Sequence, residues 1–182
     1  MRFHLLIVAL TVVVLPARVS SAPTPSPAAV TVCFTPGPES CARQIADLVN
    51  VATLSVRVQA YYLTHPLILR AIIAAKTRGL EVGVILDKSQ DRRESTRSRY
   101  TAATYLTNAG VTVWIDDAPA IAHNKVVILD DRLVLTGSFN FTKAADTRNA
   151  ENVVIIDSQI VASWFTRNWE GRRSVSRRFE PE

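Results

Sequence analysis

Two rhythms of apolar and polar residues take turns along this chain. Val30 to Phe34 and Ser55 to Leu63 repeat every second residue, as strands do. Within Cys41 to Val51, by contrast, Ile45, Leu48 and Val49 share a helical stripe. Leu67 to Lys76 is helical in spacing and stops before Gly79, a residue suited to a helix C-terminus. Val82 to Leu86 is a short apolar run of the kind buried on both faces. Arg97 to Asn108 predicts a helix closed by Gly110, followed by a strand at Val111 to Ile115. Ile121 to Leu129 and Leu133 to Leu135 read as a hairpin around the polar turn Asp130-Asp131-Arg132. Glu151 to Asp157 adds a strand and Ile160 to Trp169 a last helix. The alternation, without an internal repeat, predicts an α/β fold: a mixed β-sheet flanked by helices in a sandwich.

The first residues obey neither rhythm. Arg2, the apolar stretch Leu5 to Leu15 and the small residues Ser20-Ser21-Ala22 make residues 1–22 a secretory signal peptide. Its apolar run is short for a bilayer span, so stable membrane insertion is not expected. Pro23-Thr24-Pro25-Ser26-Pro27 marks residues 23–29 as a stiff spacer, which leaves residues 30–182 as one domain. A periplasmic or secreted location follows. In that setting Cys33 and Cys41, flanking a turn that contains Pro36-Gly37-Pro38, are expected to form a disulfide. Two cysteines without a nearby histidine make no structural zinc site.

Charge adds a partner. The 182 residues carry a formal net charge of +5, and removal of residues 1–22 leaves 19 basic against 16 acidic residues, or +3. That balance is mild, but Lys88, Arg92, Arg93, Arg97 and Arg99 cluster in one segment, and Arg172, Arg173, Arg177 and Arg178 in another. Such clusters suit a polyanion, DNA or RNA, and would make binding salt-dependent. No base-reading motif accompanies them, so cleavage of low sequence specificity is expected.

The chemistry is concentrated in eighteen positions, His123 to Asn140. His123-x-Lys125 leads to Asp130, and Gly137-Ser138-x-Asn140 follows on the return strand. A hairpin folded near residue 131 sets His123 and Lys125 opposite Gly137 to Phe139, so the polar side chains converge. A neutral imidazole can attack phosphorus and form a covalent phosphohistidine. Lys125 would neutralise the nonbridging oxygens while Ser138 and Asn140 donate hydrogen bonds to them, a role otherwise given to a metal. Neither metal nor cofactor is expected. Gly137 would let the backbone approach a ligand closely. Glu151, at the polar start of its strand, is either an ordinary strand-end residue or the carboxylate that holds the imidazole's second nitrogen.

These residues resemble the signature of the phospholipase D superfamily. Thr136 to Ala145 and Asn149-Ala150-Glu151-Asn152 are similar to its short bacterial endonuclease branch. The resemblance implies that His123 is the nucleophile, that Lys125, Ser138 and Asn140 bind phosphate, that Glu151 orients His123, and that Asp130 is structural. A phosphohistidine route also wants an acid for the leaving alkoxide. Only His4, His65 and His123 are present, and His4 falls in the leader. Either His65 supplies the proton or a second subunit brings its own His123 to a two-fold axis. His65 opens a helix beside Pro66, and the resemblance implies a homodimer with a shared site. A lipid phosphodiesterase and a noncatalytic phosphate-binding module remain as other readings.

Overall fold

A computed structural model describes residues 28–91 and 101–180. The leader, nearly all of the spacer, Arg92, Arg93, Arg97 and Arg99 lie outside the described residues.

Strands form where the alternation predicts them, and the sheet is mixed. In chain order the elements are β1 (Ala29–Thr35), α1 (Cys41–Val51), β2 (Ser55–Ala60), α2 (Pro66–Thr77), β3 (Glu81–Asp87) and α3 (Ala102–Asn108). They continue with β4 (Thr112–Asp116), β5 (Lys125–Leu129), β6 (Leu133–Gly137), α4 (Lys143–Thr147), β7 (Glu151–Asp157), α5 (Gln159–Val175) and β8 (Arg177–Arg178). Among the described residues one sheet runs β1-β7-β6-β5-β2-β3-β4-β8. β2, β3 and β4 are parallel, so each step needs a crossover, and α2 and α3 provide it. The other neighbours are antiparallel.

Each strand of the centre splits its side chains between two cores. Val127 and Leu129 of β5 join Val58 and Val84 beneath α1, α2 and α3, whose Ile45, Val49, Ile68, Ile72 and Leu106 are buried. Val126 and Ile128, the alternate residues, join Val134 and Ile85 beneath Ala162 and Trp169 of α5. That two-sided burial is why the strand reads as a continuous apolar run. Trp169 lies flat enough on β3 that a Cβ on Gly83 would come within 2.8 Å of its ring, and its indole N–H donates to Val58 O at 3.0 Å.

Local signals set the helix starts. Ser40 caps α1 by accepting the Arg43 N–H, and Cys41 beside it forms the expected disulfide with Cys33, with the Cα atoms 5.8 Å apart. His65 caps α2, with Pro66 at the first helical positions. The hairpin turns on Asp130 and Asp131, both at positive φ (54° and 48°), a conformation short polar side chains tolerate.

Two expectations need correction. β5 begins at Lys125, not Ile121, so His123 sits in the loop that precedes the strand. α5 runs on to Val175, past the expected end at Trp169. No helix among the described residues is long and apolar enough to cross a membrane.

Candidate active site

The loop of residues 117–124, the start of β5 and the entrance to β7 meet at one end of the sheet's strands. Lys125 is buried on the strand, and its ammonium reaches back along the chain. It donates to His123 O at 3.0 Å and lies 3.2 Å from His123 Nε2. An ammonium has no lone pair, so this contact is a hydrogen bond in the tautomer whose proton is on Nδ1, with Nε2 as the acceptor. The unprotonated nitrogen therefore points to the place where the cation sits. Burial pushes the Lys125 pKa below the ordinary lysine value, with Glu151 pulling it the other way. Tyr61 lines the same spot: its ring centroid is 4.7 Å from that of His123 and 5.5 Å from Lys125 Nζ.

Ser138, just past the end of β6, faces Glu151 at the start of β7. The Ser138 hydroxyl donates to Glu151 Oε2 at 2.6 Å and accepts the Asn152 N–H at 3.1 Å. The other carboxylate oxygen of Glu151 accepts from the Asn149 side chain at 3.0 Å. Among the described residues, then, Glu151 is held by Ser138 and Asn149 and makes no hydrogen bond to His123. Asn149 was not legible as a site residue, because nothing in its spacing distinguishes it from a turn residue. Asn140 follows Phe139, which is fully buried, and the Asn140 Oδ1 is buried without a hydrogen-bond partner among the described residues. A polar atom kept from water in that way is costly unless something bound satisfies it.

Gly137 meets a constraint from its own neighbour strand. Its φ is +150°, and a Cβ there would stand 2.3 Å from Asn152 O. The backbone there approaches β7 closely, beside the contact of Ser138 with Glu151.

Asp130 lies at the far end of β5. Its carboxylate accepts the N–H groups of Thr53, Leu54 and Ser55 at 2.8–2.9 Å and the Thr53 hydroxyl at 3.2 Å. Burial pushes its pKa up, but these donors outweigh it and the net direction is below the ordinary carboxylate value.

His65 is occupied elsewhere. Its Nδ1 accepts the Leu67 N–H at 3.3 Å, which places the ring proton on Nε2, 3.8 Å from Asp146 Oδ2. Burial lowers its pKa, against the pull of Asp146. The C-terminal arginines are also occupied. Arg172 forms a bidentate pair with Asp116, Arg173 pairs with Glu170, Arg177 with Asp91 and Asp117, and Arg178 with Glu180. That cluster is a set of fold contacts with its charge largely neutralised. Lys88 of the other cluster donates to Pro119 O at 2.9 Å. Among the described residues no group of three or more His, Cys, Asp and Glu side chains is arranged to hold a metal ion.

Comparison with known proteins agrees with this geometry. The sequence model of the family described as "Cardiolipin synthase, PLD-like domain" matches residues 45–172. A phospholipase D of Rickettsia conorii is 43% identical over 145 residues, which are 80% of this chain and 70% of that protein. Nuc of Salmonella typhimurium, a phospholipase D family member of solved structure, is 35% identical, with a TM-score of 0.75 over 85% of this chain and 99% of Nuc. NucT of Helicobacter pylori, at 21% identity and a TM-score of 0.72 over 84% of this chain and all of NucT, shares the fold. The chain belongs to the phospholipase D superfamily of phosphodiesterases.

Proposed function

We propose that this chain hydrolyses nucleic acid without a metal, through a covalent phosphohistidine on His123. The observation that carries the reading is the 3.2 Å contact that makes His123 Nε2 the unprotonated nitrogen beside a fixed cation. Nε2 attacks phosphorus, the P–O bond to the leaving oxygen breaks, and an acid protonates that oxygen. Water then attacks the phosphohistidine and returns the imidazole. Lys125, Ser138 and the Asn140 amide stabilise the charge on the nonbridging oxygens. In this reading Glu151 fixes the Ser138 hydroxyl and balances Lys125, and it orients His123 once substrate draws Ser138 away. The resemblance to the short endonuclease branch favours DNA or RNA over other diesters.

The leaving-group acid points to a homodimer. His65 is committed to its helix cap and faces Asp146, which leaves a second copy's His123 as the proton source. An apolar face supports that partner. α5 packs mainly on β6, β5, β2 and β4 and reaches β7 only at Ile156, which leaves much of the β1 face exposed. Val30, Val32 and Phe34 are exposed there, side by side with Ile156, Val154 and Asn152. The strip ends at Phe34, one residue from the Thr35–Glu151 pair, so a copy seated on it reaches the site edge. We place the protein in the periplasm or outside the cell, a reading supported by the leader pattern and the disulfide.

The mature protein is incubated with supercoiled plasmid in excess EDTA, beside His123→Ala. Nicking by the wild type alone is expected. A requirement for added metal would overturn the mechanism, and equal nicking by His123→Ala would overturn the nucleophile. A phospholipid reading is favoured by the 43% identity to a protein named phospholipase D and by the match to the family model described as "Cardiolipin synthase, PLD-like domain". Phosphatidylcholine vesicles assayed in parallel decide it: faster turnover there than on DNA would replace nucleic acid as the substrate.

A further inference from the structure

The loop that delivers His123 has no ladder partner of its own for most of its length, so its shape must come from elsewhere. Its backbone contacts are few. Asn124 O accepts the Tyr61 N–H at 2.9 Å, and Pro119 O accepts Lys88 Nζ. Between them Ala122, the residue before His123, gives its N–H to Asp87 Oδ2 at 2.7 Å.

Asp87 is built for that bond. It ends β3, is 3% exposed, and its Oδ1 accepts the Ser89 N–H at 2.8 Å. Its carboxylate thus joins two chain segments: the 3₁₀ turn of residues 88–90 and the loop of residues 117–124. The neighbouring acid in register on β4, Asp116, is neutralised by Arg172 instead, so Asp87 remains available to the loop. The Tyr61 ring packs on the His123 imidazole; the pKa of its phenol is pushed up first by the hydrogen bond with Tyr62 and by burial, with Asp87 adding the smallest contribution. One buried carboxylate therefore bears on both the backbone and the ring neighbour of the nucleophile. A charge-assisted bond to a buried N–H is among the stronger single hydrogen bonds a protein makes.

We infer that Asp87 is the positioning residue of His123: by holding the Ala122 N–H it fixes where the imidazole enters the site, without touching substrate itself. This rests on His123 being the nucleophile. Released, the loop can shift by an ångström with the fold intact, and a misplacement of that size is worth about 10²-fold in rate.

Bis(4-nitrophenyl) phosphate, too small to use distant binding contacts, is the probe. Asp87→Ala should lower kcat about 10- to 100-fold, with KM within about threefold and most of the thermal stability kept. Thr77→Ala, whose hydroxyl bonds only within α2 at the surface, should leave kcat unchanged. In the NMR spectrum the Ala122 amide of Asp87→Ala should lose its downfield shift, and the His123 ring resonances should move with it. Should Asp87→Ala fail to fold, Asp87→Asn, which keeps one acceptor, carries the same readings at smaller amplitude. Retention of kcat within about threefold, or unmoved His123 ring resonances, overturns the inference. Turnover by His123→Ala would instead overturn the catalytic reading. The ring resonances of Asp87→Ala would then decide alone whether Asp87 positions that side chain.

Discussion

The two ends of the β5–β6 hairpin use the same kinds of polar residue and satisfy them differently. At the turn, Asp130 accepts four hydrogen bonds from residues 53–55, and Asp131 accepts from Arg57 and Thr166. Roughly 16 Å away, at about 3.3 Å per residue, Lys125 spends its donors on His123 alone, and the Asn140 Oδ1 has no partner among the described residues. Where the chain satisfies a motif residue completely, that residue supports the fold. Where donor capacity is left over, as on the Lys125 ammonium, a phosphate oxygen can take it, while the Asn140 Oδ1 can accept from a bound donor. Substitutions at the two ends should therefore part company, one set in rate and the other in stability.

His123→Ala gives the largest effect at the open end. Turnover of plasmid DNA should fall by at least about 10³-fold while affinity stays within several-fold, since the cationic and amide donors remain. Gel-shift titration beside a nicking assay checks both. Parallel losses in binding and rate would erase the distinction between the two ends.

Lys125→Ala comes next, at about 10²- to 10³-fold in kcat. Because burial lowers the Lys125 pKa, the ammonium is lost at lower pH than an ordinary lysine would lose its proton. The wild-type rate should accordingly fall on the alkaline side before that range is reached, and Lys125→Arg should move the limb upward. The stability sign is opposite: folding favours the uncharged amine, so this residue's contribution improves as pH rises from its folded value to its unfolded one. An alkaline limb unchanged in Lys125→Arg would assign it to another group.

Phe34→Asp tests whether the open end is complete in one chain. A carboxylate on the exposed β1 strip should break a homodimer formed there. Rate should drop about tenfold or more at low enzyme concentration and recover as concentration rises. Light scattering reads the mass directly. A monomer of full activity would return the search for the leaving-group acid to a single chain.

Much of this site was legible because its residues are close in sequence and carry their chemistry in their side chains. The hairpin period brings Lys125 near Ser138 whatever surrounds them. What escaped depends on distant partners. Ile121 and His123 continue the alternation of β5, yet the backbone beside them is held at Ala122 by Asp87 and at Asn124 by Tyr61 rather than by a neighbouring strand. α4 is too short, at five residues, to show a stripe, and only Thr142 as its cap hints at it. The arginines at the C-terminus read as a patch for a polyanion. Arg172 and Arg177 are tied to acids 56 to 86 residues earlier, and no spacing rule reaches that far. For Gly137 the spacing could not show the second demand on it, room for the Asn152 carbonyl of β7.

The smallest effect on rate is expected at Asp130, and it completes the comparison. Asparagine keeps one acceptor but turns an amide towards N–H groups of residues 53–55, so several charge-assisted bonds are lost and two donors meet. The cost should be about 2 kcal/mol, near 4–8 °C in melting temperature for a domain of this size. Below the melting transition, turnover should stay within about threefold of wild type, because no Asp130 atom takes part at the open end. The pH dependence carries the signature of the carboxylate. Its folded pKa is below the unfolded value, so its contribution is complete above the ordinary carboxylate range and fades as pH falls through the folded value. Wild type and Asp130→Asn should therefore converge in stability in acid and separate towards neutrality. Calorimetry across that range checks the convergence. A constant difference in stability at every pH would mean that shape at the turn, rather than charge, is what Asp130 supplies.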